Sequence, residues 1–173
     1  MPIPILETPR LILRAHRLED LPAYEALWAD PIVVRYTAGV PQTAEEVWHR
    51  YLRAQGHWAV LGYGYWAVEE KETRRMVGEV GFADLHREMS PSLDGMPEAG
   101  WIMSPAAHGK GYATEAVRAI HDWGDAHFGP VRTCCIISPE NEPSVRVAEK
   151  TGYREVAHTL YKDHPVIVFH RDP

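Results

Sequence analysis

The stretch EAGWIMSPAAHGKGYATEAVRAIHDWGDAHF, residues 98–128, restricts what this chain can fold into more than any other. It opens with a short apolar run, 98–103, that reads as a strand. Further on, Ala113, Ala116, Val117, Ile120 and Trp123 share one stripe, the pattern of an amphipathic helix over 112–128. Gly109 and Gly111 lie between the two. The first turn of a helix leaves backbone N–H groups without partners and carries partial positive charge. Glycines before that turn let an anion approach the backbone itself. Residues 108–114 therefore suit a phosphate, and they equally suit a plain strand-to-helix turn.

The rest of the chain supplies a sheet for that helix. Residues 10–16 read as a strand and 18–30 as a helix with Pro22 near its start. Thr43 and Glu46 form a capping-box pair ahead of a helix over 43–54. Residues 62–85 read as two strands around a polar turn. The segment HREMSPSLDGMP, 86–97, is too long for a tight turn and is a candidate substrate-facing loop. Residues 131–138 are apolar on both faces, as in a central strand, and 141–152 read as a helix closed by Gly152. One or two strands follow. This order predicts an α+β sandwich around one mixed sheet, in a single domain spanning 1–173.

Composition excludes several classes. No apolar run approaches the roughly 20 residues of a membrane span. The opening MPIPILETPRLILR lacks the pattern of a signal peptide, so a cytoplasmic location with no membrane partner is expected. Cys134 and Cys135 are strand neighbours that point to opposite faces, and read as buried, reduced thiols. A net charge of −6 argues against nucleic acid as a partner and allows a cationic substrate. Ten histidines are present, but none has metal-ligand spacing, so no metal is expected. The glycines match neither nucleotide fingerprint. A P-loop needs Ser or Thr after the lysine, where Gly111 follows Lys110; a dinucleotide motif needs a third small residue at 114, which is Thr.

HGKGYA, 108–113, resembles the Gln/Arg-x-x-Gly-x-Gly/Ala segment of the GNAT superfamily of acyl-CoA-dependent N-acyltransferases, with His108 where Gln or Arg is usual. NEPSVRVAEKTGY, 141–153, is similar to that family's Asn-x-x-Ser/Ala…Glu-Lys-x-Gly-Phe/Tyr segment. ETPRLILRAHRLEDLPAYEAL, VGEVGF and EAGWIMSPAAHGKGYATEA look like the subgroup of ribosomal-protein N-terminal (alanine/serine) acetyltransferases. The resemblance covers nearly the whole chain. It implies the GNAT fold: a mixed sheet of six to seven strands flanked by about four helices, with strands 4 and 5 splayed.

It also implies acetyl transfer from acetyl-CoA directly to a primary amine. The amine must be neutral to attack, so a base is needed, with donors for the oxyanion and an acid for the thiolate. By resemblance, Glu98 is the expected base and Glu79 the reserve. A main-chain amide near Ile102 or Met103 polarises the thioester. His108, Gly109, Lys110, Gly111, Tyr112, Ala113 and Thr114 meet the cofactor phosphates, and Asn141 meets the pantetheine. Many members carry a tyrosine acid where this chain has Ala148; Ser144, three residues after the Asn, is the expected donor instead. Trp28, Tyr36 and Trp66 belong to the half of the chain where the family builds its acceptor site. The lead acceptor is a protein N-terminus. A small amine, polyamine or aminoglycoside is the alternative, as is a non-catalytic acyl-CoA-binding role. Monomer and homodimer both remain open.

Overall fold

The computed structural model describes residues 2–173. Five helices flank one eight-stranded sheet. The strands are β1 (Leu6–Glu7), β2 (Leu11–Arg14), β3 (Tyr65–Glu70), β4 (Met76–Ala83), β5 (Glu98–Met103), β6 (Thr133–Ile137), β7 (Arg154–Tyr161) and β8 (His164–Arg171). The helices are α1 (Leu21–Ala29), α2 (Pro31–Val34), α3 (Ala44–Leu61), α4 (Tyr112–Phe128) and α5 (Glu142–Lys150). The sheet runs β1-β2-β3-β4-β5-β6-β8-β7, antiparallel throughout except at β5–β6. This is the expected α+β sandwich with more elements than anticipated. β1 and α2 are the additions, each too short to show a periodicity in sequence. Because β1 shifts the count, the expected splay of strands 4 and 5 falls between β5 and β6.

Local chemistry sets the helix ends. The Thr43 side chain accepts from the Glu46 N–H (3.3 Å) while Glu46 accepts from the Thr43 N–H (2.8 Å), the capping box expected of α3. The helix continues to Leu61, past the expected 54, and stops at Gly62 in the left-handed region. Asp30 caps α2 by accepting from the Ile32 N–H at 2.8 Å.

The two sheet faces bury different cores. Leu11, Leu13, Trp66, Val80, Phe82 and Phe169 pack against Val117 and Ile120 of α4 and Ala148 of α5. Gly124 of α4 lets the helix close down: a Cβ there would sit 3.0 Å from Phe82. On the other face Tyr24, Trp28, Val47 and Tyr51 of α1 and α3 pack over Met76 and Ile102. Among the described residues no helix is long and apolar enough to cross a membrane.

His121, on the buried side of α4, lies over Phe82 and shares a 3.2 Å hydrogen bond with the Tyr153 hydroxyl. Burial, then the nearby Arg171, pushes its pKa down to about 4. Below the ordinary histidine pKa the unfolded chain takes up a proton that the folded chain refuses, so stability falls between pH 6.5 and about 4. At 1.36 kcal/mol per unit the loss approaches about 3 kcal/mol. Urea unfolding at pH 7 and pH 4.5 should show a steeper acid loss for the wild type than for His121→Gln. Equal losses would assign the acid sensitivity elsewhere.

Candidate active site

β5 and β6 are parallel neighbours that pair only at Glu98 and Cys134. The Cys134 N–H donates to the Pro97 carbonyl at 3.1 Å, and beyond that point the strands part. Successive residues of a strand turn their N–H and C=O to alternate sides. The Ser104 N–H donates to Val77 of β4 at 2.8 Å. Counting back in twos, Ile102 and Gly100 also face β4, whereas Met103 and Trp101 face the gap. An unpaired strand edge takes up an extended chain through main-chain hydrogen bonds. Of the two expected amides, the geometry therefore turns that of Met103 towards the gap and that of Ile102 away from it. The Met103 carbonyl accepts from His108 Nε2–H at 2.9 Å, which fixes the imidazole beside the turn.

Because β5 and β6 are parallel, α4 and α5 both begin at the mouth of the gap. Gly109 and Gly111 have φ of 75° and 76°, left-handed values that Ala or Lys would adopt only under strain. Both glycines are exposed, and a Cβ on Gly109 would meet nothing within 4 Å. Glu70 of β3 fastens the turn from beneath. It accepts from the buried Tyr112 hydroxyl at 2.6 Å and from Lys110 Nζ at 3.1 Å. Bonds from Tyr112, then Thr73 and Lys110, hold Glu70 down at about 2. Arg10 donates to the Lys110 carbonyl at 2.7 Å and pairs with Glu115 at 2.6 Å. Ala113 and Thr114 lie half-buried in the first turn of α4. Across the mouth, Asn141 caps α5 by accepting from the Ser144 N–H at 3.4 Å, with Ser144 half-buried. Ala148 is sealed in the core.

The opposite face carries the carboxylates. Glu79 of β4 stands directly across from Ile102 of β5. It is 6 % exposed, accepts from the Tyr24 hydroxyl at 2.9 Å and lies 3.4 Å from His16 Nε2. Burial, then the Glu79 charge, pushes the Tyr24 phenol up. Arg50 lies 3.8 Å over the ring of the buried Trp28, and burial lowers its pKa. His16 Nε2 and Trp28 Nε1 are buried without hydrogen-bond partners, on either side of Tyr24. Glu98 lies four residues back along β5, about 13 Å from Ile102. Its carboxylate is gripped by Arg87 Nε and Nη2 at 2.7 and 2.8 Å. Between the two carboxylate rows, Tyr65 pairs with Gly81, which pairs with Gly100. A Cβ on Gly100 would collide with the Tyr65 hydroxyl. The ring therefore lies across two glycines.

The aromatic expectations divide. Trp28 belongs to this face, and Tyr36 is half-buried beyond it under Arg35. Trp66 does not: strand alternation places it on the α4 face, 0 % exposed, against Trp58 and Trp123, its Nε1–H donating to Pro4. Sequence reading missed His16, Tyr24, Arg50, Tyr65 and Arg87. The available signal was a glycine inside each of two adjacent strands. The 86–97 loop packs Leu93, Met89 and Met96 over Cys134 and Val168, and brings Arg87 to Glu98.

A model of the acetyltransferase (GNAT) domain family matches residues 10–154. The chain belongs to the GNAT acetyltransferase family. It is an N-acetyltransferase, and acetyl-CoA is its cosubstrate. YkkB of Bacillus subtilis, an uncharacterized protein, is 31% identical over 96% of this chain and 94% of its own length. A putative GNAT-family acetyltransferase from Bordetella pertussis has a TM-score of 0.86 at 28% identity, covering 98% of this chain and 99% of that one. The ribosomal L7/L12 alpha-N-protein acetyltransferase RimL, solved with coenzyme A, shares the fold alone: TM-score 0.78 at 16% identity, over 98% of each chain.

Both cysteines of this GNAT chain are free and buried. Burial, then Glu98, pushes Cys134 up to about 12; burial raises Cys135 further. A thiolate is absent from both at neutral pH. An aromatic disulfide reagent should label neither thiol in the folded protein and both in urea. Rapid labelling of the folded protein would show an accessible thiolate.

Proposed function

We propose that this enzyme transfers the acetyl group to the α-amine of a peptide or protein N-terminus in the cytoplasm, with Glu79 as base. One observation carries the reading: a buried carboxylate, directly opposite β5 beside the gap, with His16 Nε2 3.4 Å away and a buried Trp28 Nε1–H that has no hydrogen-bond partner among the described residues. An unpaired buried N–H such as that of Trp28 is costly and invites an acceptor from a bound group. A peptide carbonyl suits the Trp28 N–H. The Arg50 cation disfavours polyamines and aminoglycosides, which carry several ammonium groups. An α-amine, with a pKa near 8, also asks less of its base than a lysine-like amine near 10.4. The subgroup resemblance of the opening segment and the fold shared with RimL support the same acceptor.

The residues then divide the work. The amides around Gly109, Lys110, Gly111, Tyr112, Ala113 and Thr114 hold the pyrophosphate at the start of α4. His108 braces that turn, and Asn141 flanks the pantetheine. The Met103 N–H polarises the thioester carbonyl, with the Ile102 side chain packed beside Glu79. Glu79 takes the proton of the attacking amine. The C–S bond breaks towards sulfur, and Ser144 supplies its proton. Glu98, held by Arg87, shapes the field of the site.

Two measurements test this. Calorimetric titration with acetyl-CoA should show binding by the wild type and none by Gly111→Glu. That variant brings a carboxylate into the phosphate turn and strains a φ of 76° by about 1–2 kcal/mol. Equal binding would remove the turn from the cofactor site. In thiol-release assays, Glu79→Gln should lower kcat about 10²–10⁴-fold with acetyl-CoA affinity unchanged. Glu98→Gln should fall by less than about tenfold. The reverse order would make Glu98 the base.

A further inference from the structure

We infer that the Tyr65 hydroxyl is a catalytic group that touches the acceptor amine and passes its proton towards Glu79. The inference rests on the amine-acetylating reading above and adds a residue to it. The tyrosine is delivered by an unusual backbone arrangement. Tyr65, Gly81 and Gly100 are consecutive register partners across β3, β4 and β5, so all three face the α1–α3 side. Glycine in a strand interior weakens the sheet unless something must come close to the backbone. Here the phenol ring comes close, and its oxygen ends over Gly100. That is the first part of β5 past its single pair with β6, where the edge turns free. Glu79 and Ile102 form the next row on one side; Ala83 and Glu98 form the next row on the other.

The hydroxyl is also free to act. Tyr24 donates to Glu79, Tyr112 donates to Glu70, and Tyr153 bonds with Thr133 and His121. The Tyr65 hydroxyl forms no side-chain hydrogen bond among the described residues, while the charges of Glu98 of β5, Glu79 of β4, Arg87 of the 86–97 loop and Arg53 of α3 act on it. Burial, then Glu98 and Glu79, pushes its phenol up, so the group stays protonated at neutral pH and works as a neutral relay.

The step balances. The amine lone pair forms the N–C bond and the C–S pair leaves with sulfur. Before attack, one N–H proton of the ammonium passes to the Tyr65 oxygen as the Tyr65 proton moves to the Glu79 carboxylate, directly or through one water; after the N–C bond forms, the nitrogen sheds its second proton as sulfur gains one from Ser144. The phenol is neutral before and after. Glu79 returns the proton to solvent. The chain lacks the family-type tyrosine at Ala148, and this phenol enters the site from the opposite face of the sheet.

The test compares Tyr65→Phe and Gly100→Ala with the wild type, using acetyl-CoA and three acceptors: a Ser-Ala-Ser-Ala peptide, spermidine and hydroxylamine. Hydroxylamine is uncharged at neutral pH and needs no proton removed before attack. Tyr65→Phe should slow transfer to the charged amines about 100-fold and to hydroxylamine by less than about threefold, and move the rising limb of the pH profile upward. Gly100→Ala displaces the hydroxyl and should give the same pattern, and the double variant should be little worse than either single one. Acetyl-CoA affinity should stay within about twofold of wild type in calorimetry, which separates this loss from misfolding.

Equal slowing with all acceptors, or no slowing, would overturn the inference, as would a wild type that acetylates none of the three. If spermidine turns over and the peptide does not, the acceptor reading fails while Tyr65 is still tested on spermidine. If Glu79→Gln is fully active, the base assignment fails and the relay from Tyr65 to Glu79 fails with it, whatever Tyr65→Phe does.

Discussion

Everything that this fold offers to chemistry depends on the parting of β5 from β6. A parallel pair normally runs its hydrogen bonds along the whole shared length. Here the two strands share one register pair and then separate, with five residues of β5 still to come. The N–H groups on that edge have lost their sheet partner, and backbone groups seek one. Because the strands are parallel, the same gap opens between two helix starts. One parting thus produces a free main-chain edge, a helix N-terminus with exposed glycines and a second capped helix across the mouth. An antiparallel neighbour in place of β6 would have put one of those helices at the far end of the sheet.

The two faces of the split sheet have been given different tasks by strand alternation alone. The α4 face is apolar and closed, with Trp66, Trp58 and Trp123 edge-packed on one another. The α1–α3 face holds buried titratable groups, Glu79, Glu98, His16 and Tyr24 among them. Its two carboxylates differ in how they are satisfied. Glu98 receives a fork of two charged donors from Arg87, one on each carboxylate oxygen. Glu79 receives one neutral donor from Tyr24 and has a histidine nitrogen 3.4 Å away. Two acids on one face are thereby separated by their surroundings rather than by type.

How much of this was readable beforehand follows from which signals are local. The strand–turn–helix from Glu98 to Phe128 was legible because helical period, strand pattern and positive-φ glycines are all encoded within a few residues. So was the capping box at Thr43. The α1–α3 face was not legible in that way. Trp66 and Tyr65 are sequence neighbours of similar chemistry, and only the register decides which enters the core and which reaches the site. A one-residue slip would exchange them. His16 and Tyr24 reach Glu79 across 63 and 55 positions, and no periodicity carries information over that distance. Lys110 shows the opposite failure: its place in the glycine turn was evident, but its pairing with Glu70 required the fold.

A buried ion network lies just beyond the α1–α3 face. Arg14, at the end of β2, donates to both oxygens of Asp20 at 2.7 and 2.8 Å and, through Nε, to Glu69 of β3 at 2.6 Å. All three residues are buried. Networks of this kind add little net stability over apolar packing, because desolvation offsets most of the attraction. Their effect is geometric: removing one partner strands a buried charge, at about 3–5 kcal/mol, so the arrangement cannot drift. The segment it pins runs from Arg14 to Asp20 and leads directly into α1. His16 lies inside that segment and Tyr24 one turn beyond it. The network therefore fixes, from outside the site, the two side chains that set the environment of Glu79.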